Sequence, residues 1–473
     1  MGFFKSIFKE NKGSGNQDII LTKSKIVRGF KCERSLWLLE HKPELRQVPN
    51  EGTLERGTEI GKLAQQYFPG GELVVPNGSV PSHKTADKTL DLIQRGVKTL
   101  YEATFIYDGI LVAVDILQKE KDGWHIYEVK SSTEVEEYHI LDASTQFYVV
   151  SKCLDEVLAA HIIHINNKYV RKGKIDVKKL FKCEDVTKEV RNKQQDIVDA
   201  AGKFKTLIAS GHEPSSCQKC CKKWYDCDFL EYCFPSPAHT VSRKKTVDED
   251  KVRKFVGQFE YPVAHLDFES IQPVVPLWDN SRPYQQIPFQ YSIHLQREPD
   301  SKYEHFEYLA VSDIAIDPRE ALIKQLIDNL KDAETVFAYN CAFERSRIKE
   351  MAEDFPKYSS QLMKISKKIF ELGEPFSKGY YQFDDLDKGI WGPQRKWSIK
   401  QILPRINPDL SYDKLDEVHN GTQAQDIFME LYDKNNPKNT PQRIEKTRKN
   451  MLAYCGQDTS SMVDIWEELK KYL

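Results

Sequence analysis

The feature that most constrains this chain is a dense group of cysteines, CQKCCKKWYDCDFLEYC, at residues 217–233. Five of the ten cysteines in the chain lie in this polar and aromatic stretch, which is unlike the apolar setting of a cysteine that serves as a small core residue. Crowded thiolates repel one another and oxidise unless a cation neutralises them. The stretch therefore predicts a bound metal ion or an iron–sulfur cluster.

The expected compartment also favours a metal over disulfide bonds. The sequence shows no signal-peptide pattern and no apolar run long enough to span a bilayer, which predicts a cytoplasmic protein without a membrane partner. Thiols stay reduced in the cytoplasm, so disulfides are a poor explanation for the cysteine group.

Zinc and iron–sulfur clusters normally take four protein ligands, and this stretch supplies three at regular spacing. These three are Cys221, Cys227 and Cys233. Cys32 is the expected fourth, because it stands near the start of the first structured segment and would join the two ends of that segment. Spacing leaves open an alternative, a local zinc site. Its ligands would be Cys217, Cys220, Cys227 and Cys233.

Length and composition predict a globular protein of two domains. The chain has 473 residues, 40% of them hydrophobic, and a net charge of −2 that gives no overall sign of a polyanionic partner. The stretch FPSPAHTVSRKK, rich in proline, serine and basic residues, separates two segments that each begin with a strand-like run. We therefore expect a flexible tail at 1–20, a first domain at 21–235, a linker at 236–258 and a second domain at 259–473.

Strands predicted in the first domain carry acidic and basic side chains that can converge. The segment LYEATFIYDGILVAVDILQKEKDGWHIYEVKSS alternates apolar and polar residues around two Asp-Gly turns, as hairpins do. Glu128 and Lys130 lie on one face of a strand, and a neighbouring strand can bring Asp115 beside them. Two converging carboxylates are favourable when Mg²⁺ or Mn²⁺ lies between them. An exposed ion pair is the alternative interpretation of Glu128 and Lys130 alone.

The order of these residues, followed by Gln146 on the next helix and flanked by the cysteines, resembles the PD-(D/E)XK nucleases of the RecB family. It is most similar to the iron–sulfur branch, which includes the CRISPR-associated adaptation nucleases and the AddB helicase–nuclease subunit. The resemblance covers about residues 21–235 and implies a restriction-endonuclease-like fold. It implies metal ligands Asp115 and Glu128, a catalytic Lys130 and supporting residues Glu102 and Gln146. It also implies a 4Fe-4S cluster, whose ligands would be Cys32, Cys221, Cys227 and Cys233.

The second domain carries acidic residues on three separate predicted elements. YPVAHLDFES is an apolar strand that ends with Asp267 and Glu269 on one face, for which a divalent-metal site is the economical explanation. ETVFAYNCAFERSRIKEMA is a strand that runs into a helix, with Glu344 near the junction. Tyr454 and Asp458 are four residues apart in a C-terminal helix and therefore share a face.

This order of motifs resembles the DEDD 3′-5′ exonucleases of the DnaQ-like, ribonuclease-H fold, in the subtype marked by a tyrosine. The resemblance implies that Tyr454 orients the attacking water. The implied metal ligands are Asp267, Glu269, Glu344 and Asp458, with Asp385 as an alternative to Glu344. The whole chain also resembles uncharacterised bacterial proteins in which a cluster-containing RecB-like nuclease is fused to a DnaQ-like domain.

Together these features predict a metal-dependent DNA nuclease with two nuclease domains, acting in DNA repair or in defence against foreign DNA. The expected substrates are single-stranded DNA and duplex ends, and unwinding would need a separate helicase because the sequence has no P-loop motif. The alternative is a nucleic-acid-binding module in which one or both sites are inactive. Two departures from the families motivate it: Gly61 stands where a metal-binding histidine is common, and Glu344 stands where aspartate is usual.

Overall fold

The protein, seen in a computed structural model, divides into two compact units, Met1–Pro235 and Ser236–Leu473. Both units mix helices and strands, which confirms the α/β class expected from the sequence. The described residues are 19–47, 51–76, 79–215, 219–234, 243–311, 313, 315–386, 397–408, 410, 421–432 and 436–473. Residues 1–18 of the predicted tail, and Cys217, lie outside this set.

The first unit is built on one sheet, to which seven strands contribute within the described residues. The strands are β1 (Leu21–Thr22), β2 (Glu72–Leu73), β3 (Thr99–Tyr107), β4 (Ile110–Lys119), β5 (Trp124–Lys130), β6 (Val157–Ile165) and β7 (Phe181–Asp185). The helices are α1 (Lys23–Lys31), α2 (Glu33–His41), α3 (Glu51–Gln65), α4 (His83–Gln94), α5 (Glu137–Cys153), α6 (Val177–Leu180), α7 (Thr187–Asn192), α8 (Gln194–Ala209) and α9 (Leu230–Cys233).

The strand order of this sheet is β2-β3-β4-β5-β6-β7, and β1 pairs in parallel with β4. The predicted hairpin is present, since β3 and β4 pair antiparallel across Asp108 and Gly109. Both turn residues have positive φ, 47° and 65°, as a type I′ turn requires. Helix α5 packs across β3, β4, β5 and β6 and buries Val149 and Val150, so its polar residues Asp142 and Gln146 are held close to the sheet.

The second unit contains a mixed sheet of order β11-β10-β9-β12-β13, in which β9, β10 and β11 are antiparallel and β12 and β13 extend it in parallel. Its strands are β8 (Lys245–Val247), β9 (Val263–Ile271), β10 (Ile287–Gln296), β11 (Glu304–Leu309), β12 (Thr335–Ala338), β13 (Ile369–Glu371) and β14 (Tyr381–Phe383). Its helices are α10 (Glu249–Val256), α11 (Arg319–Leu330), α12 (Cys341–Asp354), α13 (Ser359–Lys367), α14 (Glu374–Ser377), α15 (Ile399–Ile406), α16 (Gly421–Tyr432) and α17 (Pro441–Lys470).

Folded structure extends into the segment predicted as a linker, 236–258. Strand β8 pairs antiparallel with β14, and α10 buries Val252, Phe255 and Val256 in a core that also contains Ile465 and Trp466 of α17. The apolar residues of α10 are spaced three and four apart, so one face of the helix is apolar and packs inward. The second unit is therefore already folded at Lys245, which lies before the predicted domain start at 259.

Helices α16 and α17 cover the sheet of the second unit near β9 and β10. Phe428 of α16 stacks on Phe289 of β10 with ring centroids 3.8 Å apart. Thr440 caps α17 by accepting a hydrogen bond from the Arg443 amide, and Pro441 occupies the first helical position, where it is well tolerated. None of the helices in the described ranges has the length and apolar character that crossing a membrane requires.

Candidate active sites

Three carboxylates of the second unit converge in one pocket. Asp267 and Glu269 come from one face of β9, and Asp458 comes from α17, which packs against β9 and β10. One oxygen from each of the three lies within 4.8 Å of the others. Over the described part of the chain, no other group of three His, Cys, Asp or Glu side chains comes this close together. The sequence prediction of a converging acidic pocket therefore corresponds to a real juxtaposition in the fold.

Burial and mutual repulsion disfavour ionisation of these acids. Burial, and then the charge of Asp458, raises the pKa of Glu269 to about 8. Burial, followed by the charges of Asp458, Glu269 and Glu344, raises the pKa of Asp267 well above its ordinary value. Like charges gathered in a buried pocket need a proton or a cation, and hard oxygen ligands suit Mg²⁺ or Mn²⁺.

Glu344 lies beside this pocket, in the first turn of α12. It is 5% exposed, and its Oε2 atom has no hydrogen-bond partner within the described residues. Burial raises the pKa of Glu344 to about 7, and its charge acts on Asp267. A buried oxygen without a partner is costly unless a ligand reaches it. Asp385, the alternative acid, is instead held in an ion pair by Arg405, whose Nε donates at 3.0 Å.

Tyr454 is buried one turn before Asp458 on α17. The Lys400 ammonium lies 5.7 Å from the centroid of the Tyr454 ring. The charge of Lys400 also opposes the rise in the pKa of Glu269 that burial and Asp458 cause. Lys400 therefore brings positive charge to the same pocket as Tyr454 and Glu269. Lys400 was not predicted as a site residue from the sequence. It lies in the stretch KWSIKQILPR, whose mixture of basic and aromatic residues is the sequence feature that pointed to this region.

The first unit brings together the acidic and basic residues predicted from its strands. Lys130 Nζ donates to Glu128 Oε1 at 2.7 Å and also donates to Asp142. Gln146 of α5 donates to the second carboxylate oxygen, Glu128 Oε2. Asp115 of β4 lies beside this group, and its Oδ2 atom accepts a hydrogen bond from the backbone amide of Val129 at 2.7 Å.

A second lysine, Lys23, enters this group from α1. Its Nζ atom lies 2.9 Å and 3.0 Å from the two oxygens of Glu128, and 3.8 Å from Asp115 Oδ1. Neither Lys23 nor Asp142 was predicted from the sequence. Lys23 is 105 residues from Glu128 along the chain, so no local pattern connects them.

Charge and backbone geometry both mark this group as unusual. Although burial opposes ionisation, Lys130 and Lys23 lower the pKa of Glu128. Burial, and then the charge of Glu128, raises the pKa of Asp115 well above its ordinary value. The register of β3 and β4 sets Glu102 opposite Asp115, and Glu102 has φ of 55°, a conformation that is strained for a residue other than glycine. Burial also raises the pKa of Glu102.

The four predicted cluster ligands of the first unit are near neighbours. Cys32 lies between α1 and α2, and the other three lie in 219–234. Burial, and then the charges of Cys227, Cys233 and Cys32, raises the pKa of the Cys221 thiol to about 11. All four are free thiols, and Cys221 and Cys227 pack in an apolar cluster with Phe229.

The spacing of these thiols bears on which group they would bind. No three of these four described cysteines have sulfurs within 4.8 Å of one another. A tetrahedral zinc ion with bonds of about 2.3 Å would hold its sulfurs about 3.8 Å apart. An iron–sulfur cluster accepts wider spacing because each thiolate binds a different iron. The local zinc alternative includes Cys217, which lies outside the described residues.

Comparison with known proteins matches part of the second unit to a family described as "Domain of unknown function (DUF2779)", over residues 264–390. This range includes Asp267, Glu269 and Glu344. The chain is 28% identical over 233 residues to "Uncharacterized protein UU173" of Ureaplasma parvum serovar 3, covering 44% of this chain and 31% of the relative. It is 26% identical over 232 residues to "Uncharacterized protein MG366 homolog" of Mycoplasma pneumoniae, covering 44% and 32%. The chain thus spans about a third of the length of these curated relatives.

Proposed function

We propose that the protein is a metal-dependent nuclease with one active site in each unit. The observation that carries the proposal is the convergence of Asp267, Glu269 and Asp458, with Tyr454 one turn from Asp458 on the same helix. The buried, unpartnered oxygen of Glu344 supports a further ligand at the same place. The sheet order, three antiparallel strands extended by two parallel ones, supports a ribonuclease-H-like fold of the DnaQ type.

In the second unit, divalent ions held by the four acidic residues would supply an activated water and stabilise the leaving oxygen of an in-line displacement. Side chains of the protein orient the water and the phosphate. The Tyr454 hydroxyl orients the attacking water, and the Lys400 ammonium attracts the negative phosphate to the pocket. Glu344 is longer than the aspartate usual in the DEDD family, and its burial beside Asp267 supports a ligand role despite the change.

In the first unit, Asp115 and Glu128 are the proposed metal ligands of a restriction-endonuclease-like site. Lys130, held between Glu128 and Asp142, is placed to orient a water and to stabilise charge on a phosphate. Gln146 fixes the orientation of the Glu128 carboxylate by donating to its other oxygen. The strained backbone of Glu102 opposite Asp115 supports a functional role for this part of the sheet.

The four cysteines are the proposed ligands of a 4Fe-4S cluster. Their thiols lie close enough to raise the pKa of the Cys221 thiol, and no three of the sulfurs lie within 4.8 Å of one another, a spacing that supports a cluster over zinc. Such a cluster would join the α1–α2 junction to the segment 219–234, and so connect residues about 200 positions apart, as the Arg28–Asp228 ion pair does nearby. Its proposed role is to hold the first unit together.

A cleavage assay tests the proposal and separates the two sites. Labelled single-stranded DNA, duplex DNA and single-stranded RNA are incubated with Mg²⁺ or Mn²⁺ and either the parent protein, Lys130→Ala, Asp267→Ala or the double variant. We expect each single variant to lose part of the parent's activity and the double variant to lose all of it. Asp464→Asn is the control for loss of an acidic residue of the second unit outside the triad, because Asp464 lies on α17 with Asp458 but accepts a hydrogen bond from Asn407, and it should cleave like the parent. Cleavage by the double variant at the parental rate would refute both site assignments.

A nucleic-acid-binding module with inactive sites is the second candidate. Gly61 favours it, because the residue lies on α3, which packs against β5, and beyond its own helix backbone and chain neighbours no atom of the described residues lies within 4 Å of the position that a Cβ there would take. Glycine has no side chain, so position 61 cannot supply the metal ligand that a histidine would supply there. Binding of DNA by the parent without cleavage of any substrate would favour this candidate. Cleavage that requires a separate helicase for duplex DNA would favour the nuclease with a partner.

A further inference from the structure

Lys23 occupies the space between the two proposed metal ligands of the first unit. Its ammonium contacts both oxygens of Glu128, at 2.9 Å and 3.0 Å, and lies 3.8 Å from Asp115 Oδ1. A divalent ion held by Asp115 and Glu128 would take these same carboxylate groups as ligands. The ammonium and the ion are both cations, so they repel each other when they compete for the same oxygens.

The position of Lys23 is set by the fold and is not that of a surface lysine that happens to lie nearby. Strand β1 pairs with β4, the strand of Asp115, and ends at Thr22. The Thr22 side chain caps α1 by accepting from the Lys25 amide, so Lys23 is the first residue of a helix fixed against the sheet. The backbone therefore places the Lys23 side chain beside the carboxylates of Glu128 and Asp115 in the ion-free protein.

The two lysines of this group differ in what holds them. Lys130 has an ion-pair partner outside the proposed ligand pair, since it donates to Asp142 as well as to Glu128. The ion pairs of Lys23 are with Glu128 and Asp115, which are the proposed metal ligands themselves. The Lys23 side chain as a whole is 24% exposed. An ion held by Asp115 and Glu128 would take both ion-pair partners of Lys23 and leave it only the attraction of Asp142, whereas Lys130 would keep its direct contact with Asp142.

We propose that Lys23 is a resident counter-ion of the first unit, and that a divalent cation binds Asp115 and Glu128 only by displacing its ammonium. This inference rests on the metal site proposed above for that unit. Lys23 is then a positioning residue: it keeps the carboxylates paired in the ion-free protein and weakens their apparent affinity for metal. The first unit becomes competent only at metal concentrations high enough to complete the exchange.

The test measures Mn²⁺ affinity by calorimetry on the full-length, EDTA-stripped protein. All variants carry Asp267→Asn, which disables the triad of the second unit, so that the heat reports the first unit. Lys23→Met removes the counter-ion, and Lys23→Arg keeps a cation in its place. Lys25→Met is the matched control, because Lys25 lies on the same helix, is also 24% exposed and pairs with Glu40 away from the site.

We expect Lys23→Met to bind Mn²⁺ about tenfold more tightly or better, and Lys23→Arg and Lys25→Met to bind no more tightly than the parent. Equal or weaker binding by Lys23→Met would overturn the displacement while leaving the metal site in place. Absence of Mn²⁺ binding in every variant would overturn both the displacement and the proposed metal site of the first unit.

A second measurement needs no substitution at Lys23. An amine-reactive reagent is applied to the same Asp267→Asn protein with and without Mg²⁺, and labelling of each lysine is followed by mass spectrometry. Displacement should make Lys23 several-fold more reactive when Mg²⁺ is present, while Lys25 keeps its reactivity. Unchanged labelling of Lys23 at a Mg²⁺ concentration that saturates the site would refute the exchange.

Discussion

Replacing Glu269 by glutamine should change how the stability of the second unit depends on pH. The carboxylate is 8% exposed, and burial followed by the charge of Asp458 raises its pKa from an ordinary value of 4.5 to about 8. Between these two values the folded protein keeps a proton on Glu269 that the unfolded chain releases. The folded state binds more protons, so the contribution of Glu269 to stability is fully present below pH 4.5 and is lost as the pH rises through 8.

The size of the effect follows from the number of protons exchanged. One proton bound in the folded state and absent from the unfolded state gives a slope of about 1.4 kcal/mol per pH unit. From pH 5.5 to 7.5 the contribution of Glu269 to the free energy of unfolding therefore falls by about 3 kcal/mol. Glu269→Gln removes this titration and keeps the shape of the side chain. The stability of the variant should fall less over the same range, by about that amount.

Urea unfolding, followed by tryptophan fluorescence in the presence of EDTA, measures this difference at pH 5.5, 6.5 and 7.5. The protein has two units, so we compare only the transition that the substitution shifts. Glu371→Gln, on β13 of the same sheet, is the control for loss of one carboxylate and should follow the parent. Saturating Mn²⁺ should stabilise the parent at pH 7.5, by about 2.7 kcal/mol at a hundredfold excess over its Kd. Parallel pH dependences for parent and Glu269→Gln would refute the argument that Glu269 is protonated in the ion-free pocket.

The remaining predictions concern the cluster and the core. Cys227→Ser should lower the iron content of anaerobically purified protein and its charge-transfer absorption, whereas Cys153→Ser, which changes another buried free thiol, should leave both unchanged. A colourless parent containing stoichiometric zinc would contradict this prediction. Phe428→Ala should lower the free energy of unfolding by about 3–5 kcal/mol, because it removes a fully buried ring stacked on Phe289. Val311→Ala, at a 56% exposed position, should change it by about 0.5 kcal/mol or less, and similar losses in both variants would refute the packing argument.

The sequence predicted side-chain positions correctly where they depend on the regular repeat of a single strand or helix. The alternation of β9 predicted that Asp267 and Glu269 share a face, and the i, i+4 spacing predicted the same for Tyr454 and Asp458. The Asp-Gly pair at 108–109 predicted the hairpin that sets β3 beside β4. In each case the backbone geometry of one element fixes where the side chains point, and a few neighbouring residues specify that geometry.

Contacts between distant segments were not predictable in the same way. Lys23 reaches Glu128 because β1 adds to the sheet beside β4, and Lys400 reaches Tyr454 because α15 packs against α17. Lysines are common surface residues, so neither position stood out by residue type. The folded part of the predicted linker was missed for a related reason, since β8 and β14 are three-residue strands whose pairing partners are remote in sequence.

The two pockets neutralise buried negative charge in different ways, and the difference arises from neighbouring residues. Two ammonium groups of the chain itself hold Glu128 ionised in the first unit, whereas Glu269 in the second unit is held neutral by a proton. A divalent ion must therefore displace a lysine in the first pocket, together with any proton on Asp115, whose pKa is raised well above its ordinary value, and only protons in the second. The two sites are similar in their acidic residues and differ in the counter-ions that neutralise them. The nearest lysine, supplied by a distant part of the fold, determines whether a metal has to replace an ammonium group of the chain in addition to protons.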